Sequence, residues 1–324
     1  MSIAPYLKEI GRGKEGARAL SAAQAEDLLR HVFAGEVSEV QLGAFVIAMR
    51  IKGESPAEIA GFLAAAQAQI APAIDAAVRR SARPVVWLPS YNGARKLPNL
   101  TPLLAGLLAQ QGLAVIVHGP AADPVRVTSR AVFGALDWTV IDSPDDAVAI
   151  NAAWARQQPL FVTIEALYAP LARLLDVRWQ VGLCNPGHTV AKLLALAAPQ
   201  RALRVVNHTH PEYGESLAQF LAATHAVALL LRGTEGEPVA DARRTPRMDA
   251  FVAGRRIEAF SVAAQTGVLS RVPQLPSTID AASSAAFIAA ALLDPDRVPG
   301  PLQTQVRAIS ALAHHVAQPQ EHAA

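Results

Sequence analysis

The chain changes its periodicity once, at Pro84. Before that point apolar residues recur at helical spacing, with no strand-like alternation. After it, short apolar runs alternate with helical segments and with Gly or Pro turns. This switch predicts a helical block followed by an α/β domain. In the first part Ser21 precedes AAQAEDLLRHVFAG, and Gly35 is the stop. VSEVQLGAFVIAMRIKG ends at Gly53, and Ser55-Pro56 opens PAEIAGFLAAAQAQI with serine as N-cap and proline in the first turn. In the second part, strands are expected at 85–88, 113–117, 139–141, 204–206, 226–231 and 256–262. Helices are expected from Thr101 to the stop at Gly112, and at 127–136, 166–175 and 188–198. This βαβ rhythm implies a mainly parallel sheet flanked by helices. The expected division is a small all-helical domain, residues 1–75, completed by helices from about 165–198. Residues 76–164 and 199–317 then form the larger α/β domain, and 318–324 a frayed tail.

With 52% hydrophobic and 17% charged residues, 324 residues can bury a sizeable core, and disorder is expected only at the ends. The one cysteine, Cys184, allows no intrachain disulfide and fits a reducing compartment. The start, MSIAPYLKEIGRGK, has no apolar signal core. The longest span without an acid or base, 97–122, is broken by Pro98, Pro102, Gly112 and His118, so no membrane helix is expected. A cytoplasmic location is the expectation from these points. Net charge is only +2, but the charge is separated. Residues 1–58 hold eight acids and seven bases, whereas 76–122 and 177–211 hold no acid at all.

The acid-free spans contain the loops of interest. LPSYNGARK, 88–96, leaves the first strand, where an open α/β sheet holds its ligands. It carries Tyr91, Asn92, Gly93, Arg95 and Lys96, but no carboxylate. The helix starting at Thr101 adds free N–H groups that favour anions. The second loop, PAADPVRVTSR, offers Arg126, Thr128, Ser129 and Arg130, with Thr128 or Ser129 also readable as a helix cap. In HTVAKLL, His188 and Lys192 share a helix face. Neither that pair nor His208 and His210 in NHTHPEY has the third ligand a metal needs, so no metal site is expected. DARRTPRMDAFVAGRR adds Arg243, Arg244, Arg247, Arg255 and Arg256 against Asp241 and Asp249.

Cations along a track and flat side chains suit a nucleic-acid backbone and its bases. The expected phosphate contacts are Arg95, Lys96, Arg126, Arg130, Lys192, Arg243, Arg244 and Arg247. Asn92 is the expected hydrogen-bonder and Tyr91 the stacking face. The competing readings are a packed Tyr91 and merely solvated cations. There is no helix-turn-helix, zinc-finger or basic-zipper signature, so little sequence preference and strong salt dependence are expected.

GEVSEVQLGAF and RIKGESPAEIAG in the helical block resemble anthranilate phosphoribosyltransferase and its relatives in glycosyltransferase family 3. LPSYNGARK-x-x-NLTPLLA, HTVAKLL, THPEY and LLLRGTEGEPVA resemble the YbiB-type branch, described as nucleic-acid-binding relatives. The resemblance covers roughly residues 1–310 and implies that fold, with dimerisation through the helical domain. It also implies a phosphate-gripping Gly-Thr-Gly-Gly-Asp turn, which falls here on Pro89, Ser90, Tyr91, Asn92 and Gly93. The family's Asn-Ile-Ser-Thr matches Asn99-Leu100-Thr101-Pro102. Its Lys-His-Gly-Asn-Arg falls on Val117, His118, Gly119, Pro120 and Ala121, and its Ser-Ser pair on Pro124-Val125. An arginine for the aromatic substrate falls on Cys184. The magnesium-binding Asp-Glu falls on Pro238-Val239, with Glu235 and Glu237 nearby as possible substitutes. Ser90, Gly93, Asn99, Thr101, His118 and Gly119 thus read as vestiges of a phosphate site with no bound cofactor. Nucleic-acid binding without catalysis is the leading expectation. A transferase with an altered substrate and a protein-interaction module are the alternatives.

Overall fold

A computed structural model describes residues 2–13, 15–196 and 201–318. Five helices come first: α1 (Ala4–Ile10), α2 (Ala22–Phe33), α3 (Glu39–Lys52), α4 (Pro56–Gln67) and α5 (Pro72–Arg79). Helices α2, α3 and α4 start with the same device. The hydroxyls of Ser21, Ser38 and Ser55 accept from backbone amides three residues on, and Gln24, Gln41 and Glu58 reach back to the cap amides. Glu58 also ties neighbouring segments together. Its buried carboxylate accepts from Leu20 N at 2.9 Å, Ser55 N at 2.9 Å and Lys52 Nζ at 2.6 Å. No single described helix is long and apolar enough to cross a membrane.

The sheet domain follows as β1 (Val85–Pro89), α6 (Thr101–Gln110), β2 (Ala114–Gly119), α7 (Ser129–Ala135), β3 (Val140–Ile141), α8 (Val148–Ala155) and β4 (Leu160–Thr163). Helices α9 (Ile164–Val181) and α10 (Pro186–Leu193) come next, then β5 (Ala202–His208), α11 (Pro211–Ala223), β6 (Val227–Arg232), β7 (Met248–Val252) and β8 (Arg255–Arg256). Helices α12 (Ala281–Leu293) and α13 (Gly300–Ala317) close the chain. The strand order is β3-β4-β2-β1-β5-β6-β7-β8. All pairs are parallel from β3 to β6, and β7 and β8 add an antiparallel edge. Strand β1 is buried along its whole length, as a central parallel strand with covered faces must be. Its side chains alternate between two cores. Val85 and Trp87 join the core that continues into the helical block. Val86 and Leu88 join the core on the opposite face, with Leu104 of α6, Ile288 of α12 and Leu312 of α13. The protein is a small helical domain on a larger α/β domain with a mostly parallel sheet flanked by helices.

Several expected elements differ. Strand β4 is only four residues long and β7 lies inside the basic segment, and neither was expected. Of the strand expected at 256–262, only Arg256 falls in a strand, the two-residue β8. A 3-10 turn, Glu258–Phe260, follows it, and Val262 returns to bridge Met248. Helix α9 runs further than the expected 166–175 and is kinked at Tyr168, two residues before Pro170, which lacks an N–H. Helix α10 stops at Leu193, so the expectation of helix to 198 fails at 194–196. Residues 197 and 198, and most of the expected tail, lie outside the described residues.

Candidate functional site

Strand β1 is flanked by β2 on one side and β5 on the other. The strand order therefore reverses at β1, and such a reversal opens a crevice at the carboxyl ends of the strands. Three loops meet there, after β1, β2 and β6. The first two are tied together by an antiparallel bridge: Ala94 N donates to Val127 O at 2.9 Å, and Val127 N to Ala94 O at 3.1 Å. Gly93 makes this possible. It has φ +65, and a Cβ on it would lie 2.7 Å from Val127 O.

The third loop supplies the carboxylates that the first loop lacks. Thr234-Glu235-Gly236-Glu237 is a tight turn in which Glu237 N donates to Thr234 O at 2.9 Å. Both central residues have positive φ, +52 at Glu235 and +87 at Gly236, as a type I′ turn requires. Glu235 accepts from the amides of Arg95, Lys96 and Leu97 at 3.0, 3.1 and 3.2 Å. Glu237 is buried. Its Oε1 accepts from Asn92 N at 2.9 Å and Gly93 N at 2.8 Å. Its Oε2 accepts from Ser90 Oγ at 2.5 Å and Thr101 Oγ1 at 2.9 Å. Both carboxylates are engaged by donors of the first loop and of the first turn of α6. The turn itself is anchored through Gly236 O, which accepts from Asn207 Nδ2 at 2.6 Å and Asn92 Nδ2 at 2.9 Å.

A relay runs beneath this contact. Asn99 Nδ2 donates to Ser129 Oγ at 2.9 Å, and the hydroxyls of Ser129 and Ser90 are hydrogen-bonded at 2.6 Å. Because Ser90 donates to Glu237, Ser129 must donate to Ser90, so the carboxylate fixes the direction of the whole chain. Thr101 N donates to Asn99 Oδ1 at 3.1 Å and orients the amide. The α7 cap is Thr128, whose hydroxyl accepts from Ala131 N. Gly119 lets β2 end against the first loop: a Cβ there would lie 1.9 Å from Ser90 O.

Tyr91 does not offer a stacking face. It is 3% exposed, its hydroxyl pairs with His118 Nδ1 at 2.9 Å, and its ring meets the His118 ring edge-on. The packed alternative is the one observed. Burial lowers the His118 pKa to about 3. The native imidazole then stays neutral at pH values where the unfolded chain takes up a proton. The associated stability is complete above about pH 6.5 and falls as pH drops toward about 3. At pH 5 the loss from this one residue is roughly 2 kcal/mol. Nitrogen NMR of the imidazole should show it neutral at pH 4.5, and titration near pH 6.5 would contradict this burial.

The expected cations fall into three groups. Arg95, Lys96 and Arg244 are exposed, and their side chains have no acidic partner among the described residues. Arg130, Arg243 and Arg247 are also at the surface but are paired with Asp142, Asp241 and Asp249. Arg126 and Lys192 are partly buried. Arg126 Nη1 donates to Asn92 O at 3.2 Å and braces the first loop. Burial lowers the Lys192 pKa, with the Glu237 carboxylate opposing the shift. Asn92 is tied to the third loop through its backbone N–H and its carboxamide nitrogen.

Two residues outside the expected binding set belong here. Arg232 is exposed at the end of β6, in register with His208. Trp179 is half-exposed, with the Arg178 guanidinium 4.2 Å from its ring centroid. Arg178 is held at 2.6 Å by Asp123 of the second loop, which places this indole beside the crevice. Among the described residues, no three metal-ligating side chains converge.

Known proteins share this architecture. Residues 4–70 match the family described as "Glycosyl transferase family, helical bundle domain". The chain is 41% identical over 249 residues to YbiB of Escherichia coli (strain K12), covering 77% of this chain and 76% of that protein. It is 29% identical to an anthranilate phosphoribosyltransferase of Symbiobacterium thermophilum, over 71% of this chain and 64% of the enzyme. The crystal structure of anthranilate phosphoribosyltransferase from Thermus thermophilus superimposes with a TM-score of 0.69. That superposition covers 96% of this chain and 88% of the enzyme at 21% identity, a likeness of fold.

Proposed function

The chain belongs to the family of the Escherichia coli protein YbiB, on the anthranilate phosphoribosyltransferase scaffold, and from that premise we propose that it binds nucleic acid without sequence preference. The observation that carries this reading is the pair Arg95 and Lys96. Both side chains are exposed without an acidic partner among the described residues, on a loop whose inner donors already hold the chain's own carboxylates. A polyanion meeting this loop encounters cations on its outer side, while both carboxylates behind them are already engaged. Arg232 and Arg244 extend the positive surface, and Trp179 supplies the flat side chain that Tyr91 cannot. Asn92, Arg126 and Lys192 act as supports of the loops in this reading. The vestigial Ser90, Gly93, Asn99 and Thr101 hold the third loop in place.

Phosphoribosyl transfer is disfavoured by the same geometry. Pyrophosphate with magnesium would need the donors that Glu237 occupies. The helical domain carries an apolar groove of about 580 Å³ lined by Leu7, Ile10, Ala44, Ile47, Ala48 and Ile51. Ile51 is 68% exposed and Val40 83%. A second copy of the chain seated there would put two basic crevices on one particle and raise avidity for a strand that spans both.

One titration series tests the proposal. Fluorescent single- and double-stranded oligonucleotides should bind in the micromolar range or tighter, with affinity falling steeply as salt rises. Light scattering on the same samples should give two chains per particle. Phosphoribosyl pyrophosphate with magnesium should give no heat in calorimetry. Saturable magnesium-dependent binding of that sugar phosphate, without oligonucleotide binding, would overturn the reading.

A further inference from the structure

The turn after β1 is an anion receptor by its chemistry alone. Two backbone N–H groups and two hydroxyls converge on one point, and all four donate. A directed relay from Asn99 through Ser129 reinforces the Ser90 donor. What sits in the receptor is a side chain delivered from 144 residues away along the chain, counting from Gly93 to Glu237. Two arrangements bring it there. Glu235 adopts a left-handed backbone that a non-glycine residue seldom holds without compensation. Gly233 lets the turn fold back, since a Cβ on it would lie 2.1 Å from Glu237 O.

We propose that Glu237 is a built-in anion: its carboxylate fills a receptor that accepts a phosphate group, and so keeps that receptor closed to free phosphate in the native chain. A carboxylate and a phosphate both present paired anionic oxygens to N–H and O–H donors. Removing the side chain leaves four convergent donors, with the Lys192 ammonium near enough to respond to charge at that position. The relay hydroxyls can turn to suit a new acceptor. This assignment stands apart from the nucleic-acid reading, because the exposed side chains of Arg95 and Lys96 take no part in it.

The test is Glu237→Ala, with orthophosphate compared against chloride at matched ionic strength. In the native protein the two salts should give the same melting temperature and no saturable phosphate binding. In Glu237→Ala, phosphate should raise the melting temperature above chloride, and calorimetry should show one phosphate per chain, bound at least about tenfold tighter than by the native protein. A folded Glu237→Ala protein indifferent to phosphate overturns the proposal, as does native protein binding phosphate equally well. If Glu237→Ala does not fold in chloride, refolding yield becomes the readout. Recovery in phosphate supports the assignment. No recovery in either salt, together with a folded Glu237→Ser protein that ignores phosphate, overturns it. Oligonucleotide binding by Glu237→Gln, measured in parallel, separates this outcome from failure of the nucleic-acid reading.

Discussion

Glutamate in place of both Arg95 and Lys96 is expected to lower oligonucleotide affinity by about a hundredfold at moderate salt. The two side chains are free at the surface, while their backbone amides are clamped by Glu235 at 3.0 and 3.1 Å. The cations thus start from a fixed stub, which reduces the ordering cost of binding. Each lost phosphate contact lowers the slope of log affinity against log salt by about 0.7–0.9, so the pair should remove roughly 1.4–1.8. Reversal of charge adds repulsion to that loss. Arg243 and Arg247 give the contrast, since Asp241 and Asp249 already neutralise them at 2.7 and 3.0 Å. Replacing Arg243, Arg244 and Arg247 together by alanine should therefore have a smaller effect than the Arg95–Lys96 pair. Anisotropy titrations at several salt concentrations would read all of this. An unchanged affinity and slope in the double reversal would remove the first loop from the interface.

The second large effect is expected at Gly119. An alanine there would bring its Cβ to 1.9 Å from Ser90 O, and the obstacle is backbone that cannot rotate away. The ends of β1 and β2 are also joined by Ser90 N donating to His118 O at 2.7 Å, so they cannot separate without losing that bond. Displacing Ser90 further disturbs its 2.5 Å contact with Glu237. Gly119→Ala should destabilise the fold by about 3 kcal/mol or more, near the upper end for overpacking. Urea denaturation would show it as a lower midpoint. An unchanged midpoint would mean that the two strand ends tolerate a wider spacing.

The helical block and the central strands were legible because their signals are local. Ser21 and Ser55 mark helix starts, and the run of buried residues in β1 marks a central strand. Strand β7 is not legible because Met248–Val252 is short, carries Asp249 and sits among arginines, and its burial does not alternate strictly. The pairing of Arg243 with Asp241 and of Arg247 with Asp249 was within reach of the sequence. Each pair is two residues apart: Asp241 and Arg243 meet across a turn in which Arg243 N also donates to Asp241 Oδ1, and Arg247 and Asp249 share one side of the chain entering β7. The role of Glu237 was not within reach. Its partners, Ser90, Asn92, Gly93 and Thr101, lie more than a hundred residues away, and nothing in local periodicity reports which distant loop folds over which. Tyr91 failed for a related reason. An aromatic in a strand-end loop reads the same whether it faces solvent or, as here, the buried His118.

The turn that carries Glu237 has a further consequence for how the loops respond to their surroundings. A group on the same chain competes as though it were present at high local concentration, and that concentration does not change when the cell's solutes do. Glu237 is further pre-positioned by the two carboxamides that grip Gly236 O. A dissolved phosphate must outcompete a rival that never diffuses away. The shape of the first loop, and with it the bearing of Arg95 and Lys96, is thereby decoupled from the ambient phosphate supply.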